Sequence, residues 1–258
     1  MTNESHPSLQ TDTRRSEDGT AIVVGAGGGI GRSVVRRLAS RGFEVIGIGR
    51  DESRLREIPG LDESRICDAT DLEAFDAIVG ELAKDEERPP LRCIVNLAGC
   101  ITLKPAHLLS ESDWSETIAL KLTTAFSCVK AAGRHMKTGG SVVLVSTVAA
   151  SVGLANHEAI AAAGAGVEGL ARSAAATYAS RGLRINVVAP ALVDTPMASR
   201  ITSSERALEH SRKMHPLGRI GTPDDISPAI EWLATTDSSW VTGQVIGVDG
   251  GLGSVRSG

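Results

Sequence analysis

The sequence predicts a doubly wound α/β domain, a parallel sheet with helices on both faces, and three observations carry that expectation. From Thr20 onward, short β-branched runs alternate with longer stretches of helical periodicity. A glycine cluster stands where the first run gives way to the first helix. No internal repeat or interdomain linker interrupts the alternation, over a length that one such sheet commonly fills.

The apolar runs predict strands at 21–24, 44–48, 65–67, 93–96, 141–146, 184–188 and 245–248, with helices at 30–40, 71–84, 111–136, 156–180 and 222–234. Right-handed crossovers then place a ligand crevice at the carboxyl ends of the strands, where strand order reverses. Helix 156–180 is rich in Ala and Gly, which suits burial within one chain or packing against a symmetry mate. Residues 1–18 have almost nothing to bury, so a flexible polar tail is expected there, followed by a single domain over 19–258.

The formal net charge of -4, with both signs mixed along the chain, offers no basic stripe for nucleic acid and no polybasic membrane anchor. No apolar run reaches the roughly 18–20 residues of a membrane span, and residues 1–20 lack the apolar core of a signal peptide, so a cytoplasmic protein is expected. Cys67, Cys93, Cys100 and Cys128 have no metal or redox spacing, and read as reduced thiols. No metal site is expected.

The cluster Val24-Gly25-Ala26-Gly27-Gly28-Gly29-Ile30-Gly31 can turn tightly and bring backbone N–H groups to a diphosphate. Downstream stand Cys67-Asp68-Ala69-Thr70, Asn96-Leu97-Ala98-Gly99, Pro190-Ala191-Leu192-Val193-Asp194-Thr195-Pro196, and a long carboxyl-terminal signature from Pro216 to Pro223 and from Val241 to Gly251. Together these motifs resemble the short-chain dehydrogenase/reductase family, a Rossmann fold, over residues 20–253. The resemblance implies that Gly25, Gly29, Ile30 and Gly31 hold the nucleotide diphosphate, with Val24 where the family usually has threonine. It implies that Asp68 and Ala69 meet the adenine, although Asp68 also suits a helix N-cap. Asn96, Ala98 and Gly99 would lie along the adenosine half, and Pro190, Val193 and Thr195 would hold the nicotinamide carboxamide.

At the end of the second strand, Gly49 stands where an acid would meet the ribose of NAD, and Arg50 follows it. A guanidinium there pairs with a 2′-phosphate, so NADP(H) is preferred and NAD(H) is admissible. A solvated arginine, partly neutralised by Asp51, is the other reading of Arg50.

At the reaction site the family pattern breaks. Alignment back from Asn186 puts Thr147 at the catalytic serine, Ile160 at the tyrosine, Gly164 at the lysine and Lys121 at the asparagine. The chain has one tyrosine, Tyr178, several turns beyond that place, so no shift of register restores the phenol. Isoleucine has no proton to give. Thr147 keeps a hydroxyl. Lys121 can send an ammonium from the facing helix into the space above Gly164, or be a solvated helix lysine. His157, one turn before Ile160, can supply an imidazole, or belong to a helix start capped by Asn156.

Three functional readings follow. The first is an NAD(P)(H)-dependent oxidoreductase on a small-molecule carbonyl/alcohol pair, with a non-standard active site. The second is a catalytically degenerate subunit acting beside an active paralogue. A non-redox cyclase or isomerase on the same scaffold is the third. A homo-oligomer, dimer or tetramer, is expected. Residues 198–215, with Arg200, Ile201, Arg206, Leu208 and Met214, should form the substrate lid.

Overall fold

Seven strands build one parallel sheet in a computed structural model that describes residues 17–255. They are β1 (Thr20–Val24), β2 (Glu44–Gly49), β3 (Glu63–Ile66), β4 (Leu91–Asn96), β5 (Gly140–Val145), β6 (Leu183–Pro190) and β7 (Val245–Val248). The order is β3-β2-β1-β4-β5-β6-β7, so the winding reverses between β1 and β4. There Val24 pairs with Ile48 on one side and Asn96 on the other. The chain ends of β1 and β4 therefore diverge and leave a crevice at their carboxyl edge.

Alternation along each strand divides the core in two. Ile22, Ile46, Ile94, Val142 and Ile185 pack under α3 (Leu72–Lys84), α5 (Thr124–His135) and α6 (Glu158–Tyr178). Val23, Val45, Val95, Val143 and Val188 pack under α1 (Gly29–Ser40) and α9 (Pro223–Ala234). Both faces are buried, as a parallel sheet requires. No helix of the described residues is long and apolar enough to cross a membrane, and no group of metal-ligating side chains occurs among them.

The expected tail lies mostly outside the described residues, but Glu17 contradicts it where it can be seen. Glu17 is buried, accepts from the N–H and hydroxyl of Thr236 at 2.8 and 2.7 Å, and lies 3.9 Å from the Arg41 guanidinium. Its carboxylate has partners on both the α1 and α9 sides, which a reading based on hydrophobicity does not register.

The helix expected over 111–136 is interrupted. Its first part, α4 (Glu111–Ile118), starts from a reciprocal capping box between Ser110 and Asp113. The Lys104 ammonium, 2.6 Å away, and the Ser110 N–H and hydroxyl hold the Asp113 carboxyl down at about 2. A π-helical segment, Ala119–Thr123, then joins α4 to α5. Such a bulge turns the helix surface by one residue and re-aims what it carries. Here it carries Lys121.

Three helices were not expected: α2 (Glu52–Leu55), α7 (Ser199–Thr202) and α8 (Glu205–Met214). The last two form the segment anticipated as a lid. Along α6, Ala159, Ala163, Val167, Ala171, Ala174 and Ala175 are buried within the chain itself. Ala162, Ala165, Gly169 and Ala176 lie on the exposed face of the same helix. Asn156 does not cap α6. It takes a left-handed φ of 65°, a conformation asparagine tolerates, and the helix starts beyond His157.

Candidate active site

The crevice between β1 and β4 opens into two adjoining hollows, of about 550 and 390 Å³, which share walls at Gly25, Gly27, Leu97, Ala98, Gly99 and Met197. They form one groove across the switch point. A further hollow of about 740 Å³ lies at the opposite edge of the sheet, beside Glu17, where the chain enters from residues outside the described range.

The glycine turn is shaped by backbone crowding. Gly25 has a φ of +79°, and a Cβ on Gly31 would stand 2.3 Å from the Gly25 carbonyl oxygen and 2.7 Å from that of Ala26. The turn can close only without side chains at these places. α1 begins from Gly28 with no side-chain cap and no acid in its first turn, so its leading N–H groups face the groove. Gly25, Gly29, Ile30 and Gly31 all line it. A Cβ on Gly29 would stand 2.8 Å from the Thr195 methyl, which brings the 190–197 loop against the turn. Pro190, Val193 and Thr195 line the same hollow. Bare donors at a helix start, with no carboxylate against them, suit a dinucleotide diphosphate.

The smaller hollow is lined by Arg50, Arg54, Asp68 and Ala69. Asp68 does not cap the following helix, which starts from Asp71. It accepts instead from the N–H and hydroxyl of Thr70 and lies 3.7 Å from Arg50. Partial burial works against its charge, but the Thr70 donors and the Arg50 guanidinium outweigh it and hold the carboxyl below the usual range. Asp51 lines the same hollow; its carboxylate caps α2 through Ser53 and pairs with Arg54 at 3.5 Å.

Two further arginines border the groove and escaped the sequence reading. Arg32 donates to the Arg54 carbonyl at 2.8 Å, and both line the larger hollow. Arg32 directly follows Gly31 in the first turn of α1, a position that could have marked it. Asn96 lies behind the wall. Its amide donates to Thr124 Oγ1 and its oxygen accepts from the Ala98 N–H, so it holds the 97–99 loop in place.

At the reaction end, Lys121 and Thr147 both line the larger hollow, together with Ile160. Lys121 is 8% exposed, which excludes a solvated lysine. Its Nζ donates to the Ser146 carbonyl at 3.4 Å and would lie 3.6 Å from a Cβ on Gly99. Burial lowers its pKa, opposed only by the Cys100 sulfur. The Ser146 hydroxyl in turn donates to Glu168 at 3.0 Å.

The ammonium does not sit above Gly164. A Cβ there would meet the Thr147 methyl at 2.9 Å and Ala150 at 3.4 Å, because the β-branched threonine turns its methyl into that space. The Thr147 hydroxyl accepts from the Ala149 N–H at 3.3 Å and keeps its own proton for another acceptor. His157 is not among the lining residues; its Nδ1 lies 2.7 Å from the Ala155 carbonyl oxygen, and it precedes α6 instead of sharing a helical face with Ile160. Tyr178 is remote. Its ring packs on Gly133 and beneath Arg181.

Residues 25–253 match the family model described as enoyl-(acyl carrier protein) reductase. The chain is 37% identical over 244 residues to the cis-4-hydroxycyclohexanecarboxylate dehydrogenase of Sinomonas cyclohexanicum, covering 91% of this chain and 96% of the relative. It is 32% identical over 247 residues to the 3-oxoacyl-[acyl-carrier-protein] reductase FabG of Thermotoga maritima, covering 92% and 99%. Among solved structures, ElxO with NADP bound superposes with a TM-score of 0.84 at 26% identity, over 92% of this chain and 99% of that one. The ligand-free aldohexose dehydrogenase of Thermoplasma acidophilum superposes with a TM-score of 0.83 at 29% identity, over 94% and 98%. A seven-stranded sheet wound in this order, a bare glycine turn at its switch point and these matches along nearly the whole chain agree: the chain belongs to the short-chain dehydrogenase/reductase family of oxidoreductases.

Proposed function

We propose that the chain is an NADP(H)-dependent oxidoreductase for a carbonyl/alcohol pair, in which Lys121 takes over the proton transfer of the missing tyrosine and Thr147 the hydrogen bond of the serine. The observation that carries this reading is the Lys121 ammonium, buried in the groove wall with no carboxylate partner among the described residues. Burying an unpaired charge costs several kcal/mol. Hydrocarbon at that place would be more stable, so the charge points to a use.

A nicotinamide nucleotide in the groove supplies the hydride. Gly25, Gly29, Ile30 and Gly31 would hold its diphosphate, Asp68 and Ala69 its adenine end, and Pro190, Val193 and Thr195 its carboxamide. Asn96 positions Ala98 and Gly99 behind the adenosine. Thr147 donates its hydroxyl to the substrate oxygen. Lys121 gives that oxygen a proton during reduction, and its lowered pKa makes it the stronger acid. In the reverse direction the neutral amine takes the proton. Ile101, Val145, Ile160, Leu192 and Met197 face the same space, which favours a substrate apolar around its oxygen. The 37% identical relative, named for a hydroxycyclohexane substrate, supports an alicyclic ketone or alcohol. Trp114 and Phe126, exposed on α4 and α5, support a homo-oligomer.

Titration with NADPH and NADH, followed by nicotinamide absorbance with cyclic ketones, open-chain ketones and alcohols, tests the reading. Binding with no absorbance change for any of them would favour a degenerate subunit. Cofactor choice has its own test in Arg50→Ala, which removes a charge-assisted contact of about 1.5–3 kcal/mol. NADPH should bind at least about 10-fold more weakly while NADH is unchanged. Equal weakening of both would show that Arg50 does not read the 2′-phosphate.

A further inference from the structure

Outside the reaction groove, a buried histidine presents a nitrogen that nothing in the fold satisfies. His215 directly follows α8 and is 3% exposed. Its Nδ1 lies 2.6 Å from the Ser211 carbonyl oxygen. A carbonyl only accepts, so Nδ1 carries the proton and Nε2 of the neutral ring presents a lone pair. Nε2 is buried, with no donor among the described residues. Buried polar atoms are almost always partnered, and a hydrocarbon side chain would fill this place without leaving one unmatched.

The second observation is the space beside that ring. His215 lodges against Gly250, where a Cβ would stand 3.4 Å from its Cδ2, and it lines a pocket of about 140 Å³. Ala191, Leu192, Val193, Leu217, Ile226 and Val248 form the apolar walls. The charged side chains of the lining are engaged. Arg219 donates to both oxygens of Asp225 at 2.7 Å, and Asp249 accepts from the Gly251 and Gly253 N–H groups at 2.9 and 3.0 Å. Nε2 is thus the one buried polar side-chain atom of the lining without a partner among the described residues.

We propose that this pocket is a second ligand site, for neutral aromatic alcohols of phenol size that donate their O–H to His215 Nε2. Volume and chemistry set that class together. An apolar cavity of about 150 Å³ takes one benzene ring. The lone pair selects a ring that carries a donor, and the apolar walls select against a charged one. Ala191, Leu192 and Val193 also line the larger hollow, so an occupant shares a wall with the reaction groove. Binding here needs neither nucleotide nor hydride transfer, and the site stands or falls separately from them.

The test titrates the full chain, without nucleotide, with phenol and with benzene as the same ring lacking a donor, read by methyl nuclear magnetic resonance. Phenol should first shift the signals of Ile226 and Val248, which line this pocket and not the groove, ahead of Ile101 and Ile160, which line the groove and not this pocket. His215→Leu keeps the apolar volume and removes the acceptor. It should weaken phenol by about 10-fold, the contribution of one hydrogen bond, and leave benzene unchanged. The retained benzene shifts separate loss of the acceptor from loss of the fold. No shift at Ile226 and Val248, shifts at Ile101 and Ile160 alone, or equal phenol affinity in wild type and a folded His215→Leu would overturn the site.

Discussion

Lys121→Met should lower carbonyl reduction by about 10²–10³-fold, the range a positioned general acid contributes, while leaving the protein as stable as wild type or more so. The two outcomes have opposite signs because methionine keeps the length of the stem and removes the charge. The buried ammonium has one long hydrogen bond and no counter-charge among the described residues, so its desolvation is poorly offset. A lysine kept for structure would show the reverse pattern, a falling thermal midpoint with turnover intact. pH gives a second readout. Burial lowers the lysine pKa, so the acid form that reduction needs is lost as pH rises through a value below the ordinary lysine range. Carbonyl reduction should decline there, and alcohol oxidation should rise over the same interval. Flat profiles across that interval, or unchanged NADPH affinity and turnover in Lys121→Met, would remove the lysine from the reaction.

Gly31→Ala should weaken NADPH binding by at least about 100-fold and destabilise the fold by about 1–3 kcal/mol, the usual cost of overpacking. The added methyl meets two backbone carbonyls, at 2.3 and 2.7 Å, and neither can rotate away as a side chain would. The turn must open, and its N–H groups then no longer converge on one diphosphate. Gly169→Ala is the matched control, an exposed glycine on α6 whose Cβ would meet nothing within 4 Å. It should be neutral or slightly stabilising, by about 0.5–1 kcal/mol, since alanine favours helix. Calorimetric titration and thermal melts on both variants check this. Wild-type affinity in Gly31→Ala would show that the turn does not grip the nucleotide.

Most of the sheet was legible because β1, β2, β4, β5, β6 and β7 carry β-branched residues in short runs, whereas β3, Glu63–Ile66, has only Ile66 and was placed two residues late. Strand ends shift by a few residues, as in β6, which continues to Pro190. The switch point followed from handedness alone. What the sequence hid depends on three-dimensional neighbours. The π-helical turn that aims Lys121 leaves no mark in hydrophobic periodicity. Gly164 read as open space, yet Thr147 fills it with a methyl from seventeen residues away in the chain. His157 read as a neighbour of Ile160 by helical spacing, and the helix starts one residue too late for that spacing to hold. Arg54 entered the groove on a four-residue helix too short to show a period.

The most direct measurement follows a label. NADPH carrying deuterium at the hydride-donating carbon, mixed with the protein and a panel of cyclic and open-chain ketones, should give an alcohol holding one deuterium, with that transfer largely lost in Lys121→Met. Tight NADPH binding with no deuterium in any product, for wild type as for the variant, would contradict hydride transfer in this groove.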